Sequence, residues 1–375
     1  MTNTKRNTGI DLLKNVSMIM IVILHVLGRG GILNKLSDLS LKHGEVWFLE
    51  IAAYCAVNCY ALISGYICFG RNIKLKNIFS LWIQVAFYLF TINIVFKVFN
   101  LLPVSIIDIL KSFIPVTCGQ YWYFSSYFAI FFFIPFFNYL IDNLSFRKAT
   151  VLIVALVGVF SVLPIITLNI ITGVDVFYLG DGYSPLWLAI LYIIGAYLKK
   201  YNIASKIKTK KLVIGYFVCV IITFLVKIMF EYLSNIRAEA YYLNNIFVSY
   251  VSPTVLICSI CLLLAFSKIS THEKLRQTIQ LFSTATFGVY IIHLHPLIWE
   301  CLHNRFTVFV NYNPLFLPLA VIGTALGIWL ACSAVEIIRI YLFKLLRIEK
   351  LINKVSDFCT KQINKLVDNL ALKIQ

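Results

Sequence analysis

Charge is scarce in this chain. Of its 375 residues only 13% are Asp, Glu, Lys or Arg, whereas 60% are hydrophobic, and the mean hydropathy is +0.86. Soluble domains average about 25% charged and about 45–50% apolar, so the shortage excludes a soluble globular protein and leaves an integral membrane one. Acidic residues are scarcer still, 16 against 33 basic, for a formal charge of +17. The cations form no basic domain. They are scattered between apolar runs as membrane-loop charges are, and nucleic acid is not expected as a partner. Cysteine is not lacking, at ten residues, but cysteine in outer loops is. Cys55, Cys59, Cys68, Cys219, Cys258, Cys261, Cys301 and Cys332 fall in apolar runs, where a thiol behaves as a small hydrophobe. That excludes a disulfide framework. Cys258-Ser-Ile-Cys261 has metal-type spacing without a histidine or second pair nearby, so no metal site is expected. A signal-peptide cleavage site is missing too. Lys5 and Arg6 precede an apolar stretch, but Asp11 and Lys14 interrupt it and no small-residue site follows, so it reads as a retained first helix.

What the chain has is long apolar runs. They fall near 10–28, 45–69, 78–101, 121–141, 149–171, 184–200, 211–233, 243–266, 281–303 and 314–344. A span needs about 20 apolar residues, which all approach or exceed except the short sixth. The expected fold is all-α, a polytopic membrane protein of about ten transmembrane helices. Lys227 interrupts the seventh run, and Val104–Gly119 reads as an interfacial or re-entrant piece. Loop charge sets the expected orientation. One side holds Arg71, Lys74, Lys76, Arg147, Lys148, Lys199, Lys200, Lys206, Lys208, Lys210, Lys211, Lys268, Lys274 and Arg276. The other holds only Arg29, Lys35, Lys42, Lys111, Arg237 and Arg305, with the acids Asp175, Asp181, Glu231 and Glu239. The positive-inside rule then puts both termini in the cytoplasm. Residues 1–345 form the membrane domain in this reading, and 346–375 an amphipathic cytoplasmic helix lying on the membrane surface. A coiled coil there is the less favoured alternative.

Within the first run sit Asp11, Lys14 and His25. Ionisable groups at the centre of a membrane helix cost roughly 2.5–3.5 kcal/mol each on insertion scales, so they mark function. Lys14 and His25 lie on one helix face about 16 Å apart, and Asp11 joins the same stripe. Counting along the spans sorts the other polar groups by depth. His25, His293 and Glu50 share an upper level; Asp11, Lys14, Ser64 and Glu336 share a lower one. His43 and His272 read as solvated loop residues, Trp122 and Tyr123 as part of an aromatic belt, and Glu336 with Arg339 as a structural pair or a site.

These features together resemble the membrane-bound acyltransferase-3 family, O-acyltransferases of bacterial surface polysaccharides. The family opens with a basic residue, ten residues and a histidine, here Lys14 to His25 after Asp11. Leu62-Ile-Ser-Gly-Tyr66 is similar to its Ser-Gly-Tyr turn, Tyr121-Trp-Tyr-Phe124 through Pro135 to its aromatic segment, and Gly288-Val-Tyr-Ile-Ile-His293 to its Gly-x-Tyr-x-x-His element. Two departures stand out. Lys14 replaces the usual arginine, keeping the charge and losing the bidentate fork. No appended hydrolase-like domain follows, so this chain is expected to deliver the acyl group itself.

The resemblance implies a membrane-bound, acyl-CoA-dependent O-acyltransferase of the bacterial plasma membrane. It would move an acyl group, most often acetyl, from cytoplasmic acyl-CoA to a hydroxyl of a cell-surface polysaccharide or its lipid-linked precursor. No permanent cofactor is expected; acyl-CoA is a co-substrate, and membrane lipid and the glycan are the other partners. Lys14, Asp11 and Arg71 would bind the donor. His25 would be general base, its unperturbed pKa of about 6.5 leaving the neutral form dominant near pH 7, or would carry the acyl group. His293 is the second catalytic candidate; Ser64, Tyr66, Glu50, Tyr123, Tyr290 and Glu336 are candidates for orienting substrate. A transporter or flippase of lipid-linked sugars is the competing reading, a polymerase ranks last for want of a large outer loop, and a homo-oligomer is left open.

Overall fold

The computed structural model describes residues 6–166, 174–236 and 243–374. Lys5, Arg237, Glu239, Gln375 and the end of the fifth apolar run lie outside them. Among the described residues the fold is all-helical, with no strand.

Helix α1 (Thr8–Leu27) begins at Asn7, whose side chain accepts the Ile10 amide at 3.0 Å. α2 (Leu41–Tyr54) and α3 (Ala56–Cys68) meet at Cys55 and form one apolar unit of 28 residues. α4 (Leu75–Val98) follows, then the short α5 (Ile106–Lys111), opened by a capping box of Ser105 and Asp108. α6 (Trp122–Phe131) and α7 (Ile134–Asn143) are two helices bent by 59°. Pro135 explains the break, since it offers no amide to the turn before it. α8 (Phe146–Val157) runs into a π turn at Gly158–Val162. α9 (Pro185–Lys200), α10 (Ile203–Lys206), α11 (Thr209–Ile236) and α12 (Pro253–Phe266) come next. α13 (Glu273–His293) turns by 76° into the segment that starts with α14 (Pro296–Leu302). The turn falls at His295, extended because the residue before a proline avoids the helical region. α15 (Leu317–Leu345) and α16 (Ile348–Ile374) complete the chain.

Each of the ten apolar runs thus contains a helix. Their lengths depart from the sequence reading. Five helical units are long and apolar enough to cross a membrane among the described residues, namely α1, α2–α3, α4, α11 and α15, and up to seven if each bent pair is one span. The fourth and ninth runs are broken rather than straight, and the eighth is helical only from Pro253. The short sixth run also has a reason. α9 is nearly sheathed, Trp187, Leu188, Ile190–Leu191, Tyr192 and Ile194 being buried, so it packs within the bundle.

Its closest neighbour is α3, at a crossing built on two glycines. A Cβ on Gly65 would stand 1.9 Å from the Tyr192 carbonyl oxygen, and one on Gly195 would stand 2.1 Å from that of Leu62. Only hydrogen at both positions lets the backbones approach this closely, the small-residue solution to helix packing in membranes.

A second polar cluster corrects the reading of His43 as a solvated loop residue and takes in Glu231, counted among the outer-side acids. His43 and Glu231 are buried within α2 and α11, with His43 Nε2 3.1 Å from both carboxylate oxygens. Lys227, the residue that interrupts the seventh run, bonds Glu231 at 2.5 Å and lies 3.7 Å from the Trp47 ring centroid. Each charge is answered inside the protein, so the run stays helical. Glu231→Ala should therefore lower stability by about 3–5 kcal/mol by leaving the ammonium unpaired. The double variant Lys227→Met/Glu231→Leu should recover most of that loss in thermal unfolding in detergent; equal losses in both would refute a charge-pairing origin.

Candidate active site

A cavity of about 830 Å³ follows one face of α1. Lys14, Met18, Ile21, His25 and Gly28 line it in steps of three and four residues, so the stripe seen in the sequence is its wall. That volume is in the usual range for small-molecule sites.

Beside Lys14 at the lower end, outside the cavity lining, Asp11 is buried and accepts three hydrogen bonds from two side chains. Arg6 reaches it through Nε at 2.6 Å and Nη2 at 3.0 Å, and Ser283 of α13 bonds it at 2.9 Å. Lys14 Nζ stands 3.7 Å from the same carboxylate. Asp11 therefore holds two cations together, leaving a net positive mouth. In the sequence Arg6 reads only as part of a signal-peptide-like flank. Its position five residues ahead of Asp11 is the available clue, but only folding shows the guanidinium turned back onto the carboxylate. Arg71, expected beside Lys14, lies on the exposed turn after α3 and does not line the cavity.

Near the other end His25 meets His293. Their Nδ1 and Nε2 atoms are 2.9 Å apart, so α1 and α13 touch both here and at Asp11–Ser283. His293 Nδ1 faces the Val289 carbonyl at 2.5 Å. A carbonyl only accepts, so in the neutral ring Nδ1 carries the proton and Nε2 the lone pair. His25 Nδ1 must then donate to His293, which leaves the lone pair of His25 on Nε2. Trp299 stands edge-on to the His25 ring with centroids 4.9 Å apart, and Arg29 fixes that indole segment by bonding the Trp299 carbonyl at 3.0 Å and Glu300 at 2.5 Å. His295 serves the fold instead, its Nδ1 accepting the Leu297 amide and capping α14.

The other candidates divide. Ser64, Glu50, Tyr123 and Tyr290 line the cavity, as does Trp122, so the aromatic pair expected in a membrane belt faces inward. Ser64 donates to the Tyr60 carbonyl at 3.0 Å, and Tyr60 in turn donates to that of Lys14 at 2.6 Å. Tyr66 and Glu336 do not line it. Tyr66 sits beneath the Lys199 ammonium, 5.0 Å from ring centroid to nitrogen. Glu336 accepts from Gln84 at 3.0 Å, Tyr88 at 2.7 Å and Arg339 at 2.5 Å, and its carboxyl fills the space left by the missing side chain of Gly288. With its lone pairs engaged it joins α4 to α15 instead of offering itself to a ligand.

The histidine pair, the cationic mouth and the cavity between them are what a group-transfer enzyme needs. The acyltransferase-3 family, described as an acyltransferase domain, matches residues 7–333. The chain belongs to that family. It is a membrane acyltransferase, and the matched region contains every residue that lines the cavity, from Lys14 of α1 to Trp299 of α14. No curated protein and no solved structure matches the chain. Membership also gives a reason for the sequence elements that α1 and α13 carry, since these two helices supply the histidine contact.

Proposed function

We propose that this acyltransferase moves an acyl group, acetyl in the first instance, from cytoplasmic acyl-CoA to a hydroxyl of a cell-surface polysaccharide or its lipid-linked precursor, with His25 as general base. The observation that carries the reading is the Val289–His293–His25 chain at one end of a cavity whose other end is lined by Lys14, with Asp11 and Arg6 paired beside it outside the lining. His25 Nε2 takes the hydroxyl proton as the oxygen attacks the thioester carbonyl. The His293 Nε2 lone pair receives the hydrogen bond of His25 Nδ1–H, which becomes stronger as that ring gains charge. The tetrahedral intermediate then collapses, the C–S bond breaks, and the imidazolium returns its proton to the departing thiolate. The same lone pair of His25 would serve an acyl-histidine route, which acid-quench trapping of a labelled enzyme distinguishes.

The donor's phosphates suit the cationic mouth, where Lys14 acts as a point charge and Arg6, its Nε and Nη2 engaged by Asp11, adds a second positive charge nearby. About 16 Å separates Lys14 from His25 along α1, a length for an extended pantetheine arm. Both termini on the cytoplasmic side of a bacterial plasma membrane, as the loop charges predict, would put the cationic mouth on this donor side. α16 fits the same arrangement. Its Ile352 and Ser356 are buried, Leu366, Val367 and Leu370 are exposed, and Lys350, Lys354, Lys361 and Lys365 form one flanking stripe, as for a helix lying at a lipid surface.

Transfer of isotope from labelled acetyl-CoA to glycan by the purified chain in proteoliposomes tests the reading. Labelled glycan is expected; translocation of a lipid-linked sugar without label would favour transport and overturn it. Lys14→Ala should raise the donor KM about tenfold, while Lys14→Arg should keep most activity. An unchanged donor KM in Lys14→Ala would remove its role.

A further inference from the structure

The same cavity has an aromatic arm that the acyl-transfer chemistry does not use. Four rings form a continuous wall in it. Trp122 of α6 lies 4.5 Å from Tyr183, Tyr183 lies 5.2 Å from Tyr250, and Tyr250 stacks on Tyr54 of α2 at 4.8 Å and 30°. One turn before Tyr54, on the same face of α2, is Glu50. It is 7% exposed, lines the cavity, and its Oε2 has no hydrogen-bond partner among the described residues. The two cations that also line the cavity are engaged elsewhere, Lys14 beside Asp11 and Arg29 on Glu300.

The wall is held in place from outside the cavity. Asp181 and Gly182 adopt left-handed φ of 55° and 99°, and a Cβ on Gly182 would meet that of Tyr250 at 2.6 Å. The Asp181 carbonyl also accepts the Tyr250 amide at 3.2 Å. The turn is thus pressed onto the neighbouring tyrosine, which fixes Tyr183 in the line of rings.

A buried carboxyl with an open oxygen is costly unless something hydrogen-bonds to it. Its surroundings say what kind of ligand that is. Aromatic faces take flat apolar C–H surfaces, and a carboxyl beside them takes hydroxyls. A pyranose ring presents both, apolar on its faces and hydroxylated at its edge. We propose that Glu50, Tyr54, Trp122, Tyr183 and Tyr250 form the subsite for the acceptor sugar, with Glu50 hydrogen-bonding ring hydroxyls next to the one acylated. Calling the ligand the acceptor rests on the acyl-transfer reading; its chemistry as a hydroxylated ring does not.

The test omits the donor, so it is independent of transfer. The solubilised full-length chain is titrated with methyl glucoside, galactoside, mannoside and N-acetylglucosaminide, then with the monodeoxy analogues of whichever binds, using saturation-transfer NMR. At least one deoxy analogue should bind about tenfold more weakly, as expected when a buried polar group loses its partner. In Glu50→Leu that penalty should vanish, the parent glycoside falling to the level of the analogue. Tyr183→Ala should weaken all the glycosides alike. Absence of glycoside binding by the unmodified chain, or deoxy penalties that persist in Glu50→Leu, would overturn the assignment. Binding insensitive to every hydroxyl would overturn it too, assigning the arm to a lipid chain. Failure of isotope transfer with these glycoside results intact would overturn the acyl-transfer reading alone.

Discussion

His25→Ala should lower acyl transfer by about 10³-fold while the protein still inserts and accumulates normally, since positioned general bases contribute about 10²–10⁴ in rate. His25 is a surface of the cavity and not a strut. Its ring is half-buried, its one side-chain hydrogen bond among the described residues goes to His293, and the apolar residues around it on α1 pack without its help. Donor KM should hardly move, because Lys14 and Arg6 lie at the far end. His293 separates positioning from chemistry. His293→Leu removes the acceptor of the His25 Nδ1–H bond, frees the tautomer, and should cost about 10²-fold in kcat with a shifted pH–rate profile. His293→Gln can keep an oxygen acceptor there and should restore part of the rate. Normal acylation by His25→Ala in a membrane assay would end the mechanism.

Gly65→Val should remove the folded protein altogether. The Cβ alone would stand 1.9 Å from the Tyr192 carbonyl oxygen, and the obstacle is backbone, which cannot rotate aside. The α3–α9 pair would have to separate, and with α9 nearly fully buried the bundle has no slack to absorb it. Gly195→Val should behave alike from the other side of the contact. Ser64→Ala changes the adjacent residue but only deletes a hydroxyl that bonds its own helix, so a monodisperse peak in size-exclusion chromatography should persist. A full-yield, monodisperse Gly65→Val protein would show that the glycine contact is not needed for packing.

The Ser-Gly-Tyr element shows how far the sequence can be read. As sequence it is one unit with a role in orienting substrate. In the fold its three residues part company, Ser64 facing the cavity, Gly65 touching α9, and Tyr66 packing under Lys199. Successive residues on a helix point about 100° apart, so adjacency in a motif does not mean a shared site. The Lys14–His25 stripe succeeds for the same reason: its spacing is that of one face.

What the sequence determined by itself was local and periodic. Apolar run length fixed an all-helical membrane protein, and helical spacing fixed the wall from Lys14 to His25, because both depend only on residues near each other in the chain. The pairing of His25 with His293, the return of Arg6 onto Asp11, the burial of His43 against Glu231 and the rings gathered beside Glu50 were decided by tertiary structure. Each joins side chains whose meeting depends on how helices bend and cross. Those bends and crossings follow from packing, chiefly at Pro135, Pro296 and the Gly65–Gly195 contact, which no single stretch of sequence contains.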